Sequence, residues 1–320
     1  MFCIIALIVF SILGIFSATN RALAREALDC VFRRITLRPC NTGFREKIKG
    51  RLVGRLLGRS VLAARIFNKH FELISWIFFI LMIVSTIWVI RGGYNYYLYG
   101  SCNGLNSSGF CAFDPKGESN KVSQINTQCN LNQSTEKNLT LNGVNLDLFP
   151  AKNNGSEDTV VLIGCYSCDY TRKVYPLIQK LISKNNVNYI FAHYPVKDST
   201  NYLSELDYCA YKQNQNMFWQ LNDSLFAASK ENLANKDYVN KLVSDLGFDT
   251  EKIKECLASQ ETKDIVKKQL EELQKTNIYG TPTVFINGQA LVGPKPYRVY
   301  ERMLKNNDEQ SIISKILNKF

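Results

Sequence analysis

Two cysteines three positions apart, Cys165 and Cys168, stand directly after the apolar run Thr159-Val160-Val161-Leu162-Ile163-Gly164. A sulfur at the mouth of a strand and the start of a helix meets unpaired backbone N–H groups and the positive end of the helix dipole. Both favour the thiolate, the nucleophilic form. The chemistry open to such a pair is thiol–disulfide exchange, with Cys165 as the attacking, more exposed sulfur and Cys168, one turn inward, resolving the mixed disulfide. More than a hundred residues later, Gly280-Thr281-Pro282-Thr283-Val284-Phe285-Ile286 places a Thr-Pro step before a short apolar strand. A cis Pro282 beside the sulfurs has no N–H to offer. The backbone of Thr281 is then free to pair with an extended substrate strand.

Other readings of the pair are weaker. Zinc needs four ligands, usually a second Cys pair or a His pair, and this chain has no second Cys-x-x-Cys and only His70 and His193. A structural disulfide across two intervening residues would close almost no chain entropy. A non-catalytic binding or chaperone module built on the same cradle remains the rival from outside the enzymes.

The flanking pattern supplies elements to hold these residues. Thr159 to Gly164 reads as a buried strand. The helix from Cys165 carries Val174, Leu177, Ile178, Leu181 and Ile182 on one face, with a kink expected at Pro176. A second strand spans Val187 to Val196. A long helical stretch then covers about 201–276, with a helix start marked by Asp249. Asn287-Gly288 signals a hairpin between two short strands, and a closing helix runs from Pro296 to about Leu304. The order β-α-β, helical block, β-β-α predicts an α/β thioredoxin fold with an all-helical insertion.

From about Asp158 to Leu304 the sequence resembles the DsbA-like branch of the thioredoxin superfamily. The resemblance rests on Cys165-Tyr166-Ser167-Cys168 after a strand, His193-Tyr194-Pro195, Cys209-Ala210, Met217-Phe218-Trp219, Asp223-Ser224-Leu225-Phe226, Gly280-Thr281-Pro282-Thr283 and Asn287-Gly288. It implies thiol–disulfide exchange through Cys165 and Cys168, with Thr281 and Pro282 beside them and no bound cofactor. Tyr166-Ser167 differs from the Pro-His pair of the strongly oxidising members, and Gly164 stands where an aromatic residue is often found. Phe218 and Trp219 are expected to pack the insertion core, and His193 to be a satisfied strand histidine.

Charge places the chemistry. Residues 1–91 hold fourteen Lys and Arg against four Asp and Glu, so the net charge of +11 belongs almost wholly to the first quarter. Two uncharged segments, Met1–Thr19 and Leu73–Ile90, each approach the ~20 residues that cross a bilayer, and thirteen of the fourteen basic residues lie between them. The positive-inside rule puts the loop 20–72 in the cytoplasm and everything after Arg91 outside. A cleaved signal peptide fits less well, because the charged n-region is missing and Arg21 and Arg25 follow at once. Between Arg51 and Phe67 a basic amphipathic stretch suits the headgroup surface. A near-neutral folded part argues against nucleic acid as a partner.

Residues 92–155 read as an outward linker rich in Asn, Gly and Ser, ahead of a domain over 156–320. Seven of the ten cysteines follow Arg91, which implies an oxidising compartment. Cys102 and Cys111 suit a local loop disulfide, and Cys209 and Cys256 a second, structural one within the insertion. Cys129 is left odd, and Cys30 and Cys40 read as reduced cytoplasmic thiols. Asn-x-Ser/Thr triplets at Asn106, Asn132, Asn138, Asn154 and Asn222 leave glycosylation open.

The expectation is therefore a two-pass, membrane-tethered, extracytoplasmic oxidoreductase that donates disulfides to exported protein thiols. Two spans with no cysteine pair inside them cannot carry electrons across alone, so a membrane redox partner is implied, either a quinone-linked oxidase or a thiol transporter. A reductase or isomerase fed by a membrane electron carrier is the alternative within the same chemistry.

Overall fold

The computed structural model describes residues 18–36, 42–58, 60–107, 109–124, 139–196 and 200–305, together with Leu7, Ser11 and Arg38. The chain divides into two compact units, Met1–Arg91 and Gly92–Phe320.

The first unit is helical, with α1 Ala18–Ile35, α2 Thr42–Leu57, α3 Val61–Lys69 and the start of α4 Phe71–Tyr99. Leu23, Ala27, Cys30 and Ile48 form a small buried cluster. The amphipathic stretch expected over Arg51–Phe67 is interrupted at Gly58, a turn between α2 and α3, because glycine weakens a helix interior. Cys30 is disulfide-bonded, which corrects the expectation of a reduced thiol there. Among the described residues α4 is the one helix long and apolar enough to cross a membrane. Its 29 residues reach about 43 Å at the helical rise, beyond the ~30 Å of a hydrocarbon core. The expected first span over 1–19 falls, apart from isolated positions, outside the described residues.

In the second unit the last turn of α4 is capped by side chains from the far end of the domain. Arg298 Nη2 donates to Tyr96 O at 3.1 Å and Arg302 Nη1 to Tyr97 O at 3.2 Å. They join Gly100 N, which donates to Tyr96 O at 2.9 Å, in satisfying the last carbonyls of the helix. The stretch after the helix is no loose linker. The Cys102–Cys111 disulfide closes its first loop, and Asn106 then grips the sheet. Its Nδ2 donates to Ala290 O and its Oδ1 accepts from Val292 N, both at 2.8 Å. Strand β1, Ser123–Gln124, ends this stretch.

A five-stranded sheet forms the centre, in the order β2-β4-β3-β6-β7, from β2 Ala151–Lys152, β3 Thr159–Gly164, β4 Asn188–His193, β6 Thr283–Ile286 and β7 Gln289–Val292. β3 runs parallel to β4, in register from Thr159 opposite Asn188 to Gly164 opposite His193, and antiparallel to β6. A strand buried on both faces reads as an unbroken apolar run, and the two faces of β3 show why. Val160 and Leu162 enter the main helical core, while Val161 and Ile163 pack with Phe149, Leu273 and Phe285 on the other side.

Helix α5, Asp169–Lys184, buries Val174, Ile178 and Leu181 against the first face and continues through Pro176. Between β4 and β5 the described residues form six α-helices: α6 Tyr202–Gln213, α7 Gln215–Ala227, α8 Lys230–Ala234, α9 Lys236–Asp245, α10 Thr250–Ala258 and α11 Gln260–Lys275. Asp249 caps α10 by accepting from Lys252 N. Phe218 and Trp219 pack the insertion core, and Cys209–Cys256 ties α6 to α10. β5, Gly280–Thr281, leads through the cis Thr281–Pro282 bond into β6. The hairpin turns at Asn287 and Gly288, both with positive φ, as a two-residue turn between right-twisted strands requires. A closing helix, α12, covers 297–305. This is the thioredoxin fold with an all-helical insertion.

Candidate functional site

β3 ends at Gly164, and the chain must then turn sharply into α5. A Cβ on Gly164 would fall 2.5 Å from Thr171 Cγ2, so only glycine lets the strand end meet the first turn of the helix. Helix α5 starts at Asp169 rather than at Cys165, with Cys168 as its N-cap residue. Cys165 to Ser167 form a turn, closed by Cys168 N donating to Cys165 O at 3.1 Å. Thr171 Oγ1 accepts from Cys165 N at 3.4 Å.

Both sulfurs are free thiols, and the fold brings all four expected site residues together. Cys168 Sγ donates to Thr281 O at 3.4 Å, across the chain from the cis proline. Cys165 Sγ lies 3.3 Å from Ser167 Oγ and 3.9 Å from Thr200 Oγ1. The expectation that Cys165 is the more exposed sulfur is corrected: Cys165 has 0% and Cys168 3% of its surface exposed. The reason lies outside the motif. Thr200, at the entry to the helical insertion, stands beside Cys165, and Ser123 Oγ stands 2.8 Å from Cys168 Sγ.

Behind the sulfurs lies a buried polar network that motif reading does not reveal. Tyr166 OH donates to both carboxylate oxygens of Asp207 at 2.9 Å and accepts from Asn222 Nδ2 at 2.8 Å. Tyr175 OH donates to Asn222 Oδ1 at 2.7 Å and also bonds Asp223. His193 Nδ1 pairs with Ser204 Oγ at 2.9 Å, but its Nε2 has no hydrogen-bond partner, so this histidine is only half satisfied. The Tyr166 and His193 rings stand 4.8 Å apart. The available signal was Asp207 itself, an acid at helical spacing from Leu203 and Ala210 on the apolar face of α6. Asn222, fully buried here, is not an accessible glycosylation acceptor in the folded domain.

Arg172 supplies the nearby cation. Its Nε donates to Tyr166 O at 2.6 Å, its Nη2 is buried without a partner, and its charge interacts favourably with Asp169 and Cys165.

The network also sets a pH response. Burial pushes Asp207 up to about 7 from its ordinary 3.8, with His193 and the Tyr166 hydroxyl pulling it back. Burial likewise holds His193 down to about 4 from 6.5. A carboxyl raised in the folded state contributes stability that is present below its unfolded value and lost as pH rises through about 7. A depressed histidine contributes stability that is present above 6.5 and lost as pH falls toward 4. The two slopes oppose each other between pH 4 and 6.5. Asp207→Asn removes the first, so the variant's urea midpoint should rise steadily as pH goes from 4 to 6.5, while the parent's changes less. Identical pH profiles for parent and variant would show that the pair does not titrate as described.

The comparisons with known proteins fall on this same region. Residues 158–306 match the family model described as Thioredoxin. The "Probable disulfide bond formation protein D" of Bacillus anthracis is 30% identical over 141 residues, 40% of this chain and 64% of that protein. The "Na(+)/H(+) antiporter NhaA 3" of Salinispora tropica is 27% identical over 138 residues, 42% of this chain and 21% of that protein. Among solved structures, oxidised BdbD from Bacillus subtilis aligns with a TM-score of 0.44 at 23% identity, over 52% of this chain and 94% of that one. The chain thus spans between about a fifth and under two thirds of these curated relatives. Residues 158–306 thus combine a thioredoxin fold with two free thiols at the start of a helix, and in sequence they are similar to a disulfide bond formation protein.

Proposed function

We propose that the protein is a membrane-tethered, extracytoplasmic thiol–disulfide oxidoreductase that donates disulfides to exported proteins through Cys165 and Cys168. The observation that carries this reading is the meeting of the two thiols at the start of α5 with the backbone of Thr281. Sulfur at a helix N-terminus favours thiolate chemistry. The disulfide formation named for the Bacillus anthracis relative supports the same direction. In that direction a substrate thiolate attacks Cys165 of the oxidised pair, and Cys168 leaves as thiolate. A second substrate thiolate then breaks the mixed disulfide and releases Cys165. The two electrons stay on the cysteine pair until a membrane redox partner, a quinone-linked oxidase or thiol transporter, removes them.

Tethering through α4 fits the length and apolarity of that helix. A two-pass arrangement with the basic loop in the cytoplasm rests on the charge distribution. Against it stands the disulfide at Cys30, which a reducing cytoplasm would open.

The test is the equilibrium potential of the Cys165–Cys168 pair in a glutathione buffer. A value near about −120 mV marks a donor of disulfides, one near about −270 mV reverses the direction to reduction, and a pair that does not cycle leaves only a binding module.

A further inference from the structure

Thr281 offers the backbone edge at which an extended polypeptide would add as a strand, and that edge is already taken. β1 pairs antiparallel with β5, Ser123 opposite Thr281 and Gln124 opposite Gly280. The approach is close enough that a Cβ on Gly280 would fall 2.4 Å from Val122 Cγ2 and 2.9 Å from Ser123 O. The Ser123 hydroxyl, 2.8 Å from Cys168 Sγ, touches a reacting atom from outside the matched family region, 158–306. Just upstream the chain is fastened independently. Lys295 Nζ donates to Ser119 O at 2.8 Å and also bonds Asn120 Oδ1, and a Cβ on Gly293 would fall 2.9 Å from Lys121 O. Thr281 is fully buried as a result of this enclosure.

We propose that Ser123 is an active-site residue, whose hydroxyl holds the Cys168 sulfur of the dithiol while its backbone occupies the place of an extended substrate segment. The inference rests on the thiol–disulfide reading of the site. A substrate segment docks by exchanging with β1, one short antiparallel pairing replacing another, so the backbone hydrogen bonds of Gly280 and Thr281 stay satisfied. This selects unfolded polypeptide next to a cysteine over small thiols, which bring no backbone to replace β1. The anchors at Asn106, Asn120 and Lys295 keep the displaced segment beside the site, ready to return.

The test uses the full chain in detergent. In Ser123→Cys, the oxidised species that joins the introduced sulfur to Cys168, separated from the Cys165–Cys168 form and identified by mass mapping, has β1 pinned in place and Cys165 as the free thiol of the site. Cys168→Ala has the same lone nucleophile with β1 free to move. Each is given an unfolded peptide whose cysteine is activated as a mixed disulfide with 2-nitro-5-thiobenzoate. Attack by the Cys165 thiolate forms the Cys165–peptide disulfide and expels the coloured thiolate. The pinned protein should capture the peptide at least about tenfold more slowly than Cys168→Ala. Both should react at similar rates with the small disulfide 5,5′-dithiobis(2-nitrobenzoate). As a second variant, Val122→Gly combined with Ser123→Gly loosens β1 and should speed peptide capture without speeding the small reagent. Equal peptide capture by the pinned protein and Cys168→Ala overturns the proposal alone. No capture by Cys168→Ala overturns the thiol–disulfide reading, and the proposal with it.

Discussion

Cys168→Ala should accumulate mixed disulfides with client proteins through Cys165, and Cys165→Ala should accumulate none. The asymmetry follows from the surroundings of each sulfur. Cys168 Sγ is held by contacts to the Ser123 hydroxyl at 2.8 Å and the Thr281 carbonyl at 3.4 Å. Cys165 precedes the helix in a turn, flanked by the hydroxyls of Ser167 and Thr200 and within the field of Arg172. Removing Cys168 deletes the intramolecular thiolate that would expel the client, so the covalent intermediate persists. The expected difference is at least about tenfold in trapped complex, since exchange within a tethered pair outruns exchange with a dilute thiol by a wide margin. Non-reducing gels with mass identification read the result. Equal trapping by both variants would refute the division of roles.

The second large effect concerns stability. The Cys209–Cys256 disulfide spans a sequence separation of 47 and joins α6 to α10. Closing a loop of that size stabilises a fold by about 4 kcal/mol through restriction of the unfolded chain. Cys209 lies within the main core, where Thr262 Oγ1 also touches both sulfurs, so little rearrangement is open to the native state. The double variant Cys209→Ala, Cys256→Ala should therefore lose a large part of that stability. Trp219, buried in the insertion, gives a fluorescence signal for urea unfolding at this place. Unfolding free energies that match the parent to within about 0.5 kcal/mol would show that the crosslink does not restrict the unfolded chain as the entropy argument requires.

Much of the fold was legible in the chain because its signals are local. β3 is an uninterrupted apolar run, since both of its faces are covered. The hairpin was marked by Asn287-Gly288, where two residues in the left-handed region are needed, and the start of α10 by Asp249, whose side chain meets an orphan N–H. The start of α5 was placed four residues early. The Cys-x-x-Cys spacing says nothing about which residue caps the helix, and the turn at Cys165 to Ser167 is set by the close meeting of Gly164 and Thr171.

The sequence by itself pointed to the proposed reaction class and to the two sulfurs. A cysteine pair after a buried strand and a Thr-Pro step before another carry their chemistry in a few adjacent residues. Only the tertiary structure decided what surrounds those sulfurs. Asp207 reaches Tyr166 from a helix about forty positions away, and Ser123 reaches Cys168 from a stretch whose Asn, Gly and Ser content reads as a linker. Such contacts leave no periodicity behind, because a single polar side chain at the right distance does the work and its neighbours in sequence are free to vary. The same holds for the burial of Cys165, which is set by what packs over the motif rather than by the motif. Sequence patterns record which faces must be buried. The partner that buries them is chosen when distant segments meet.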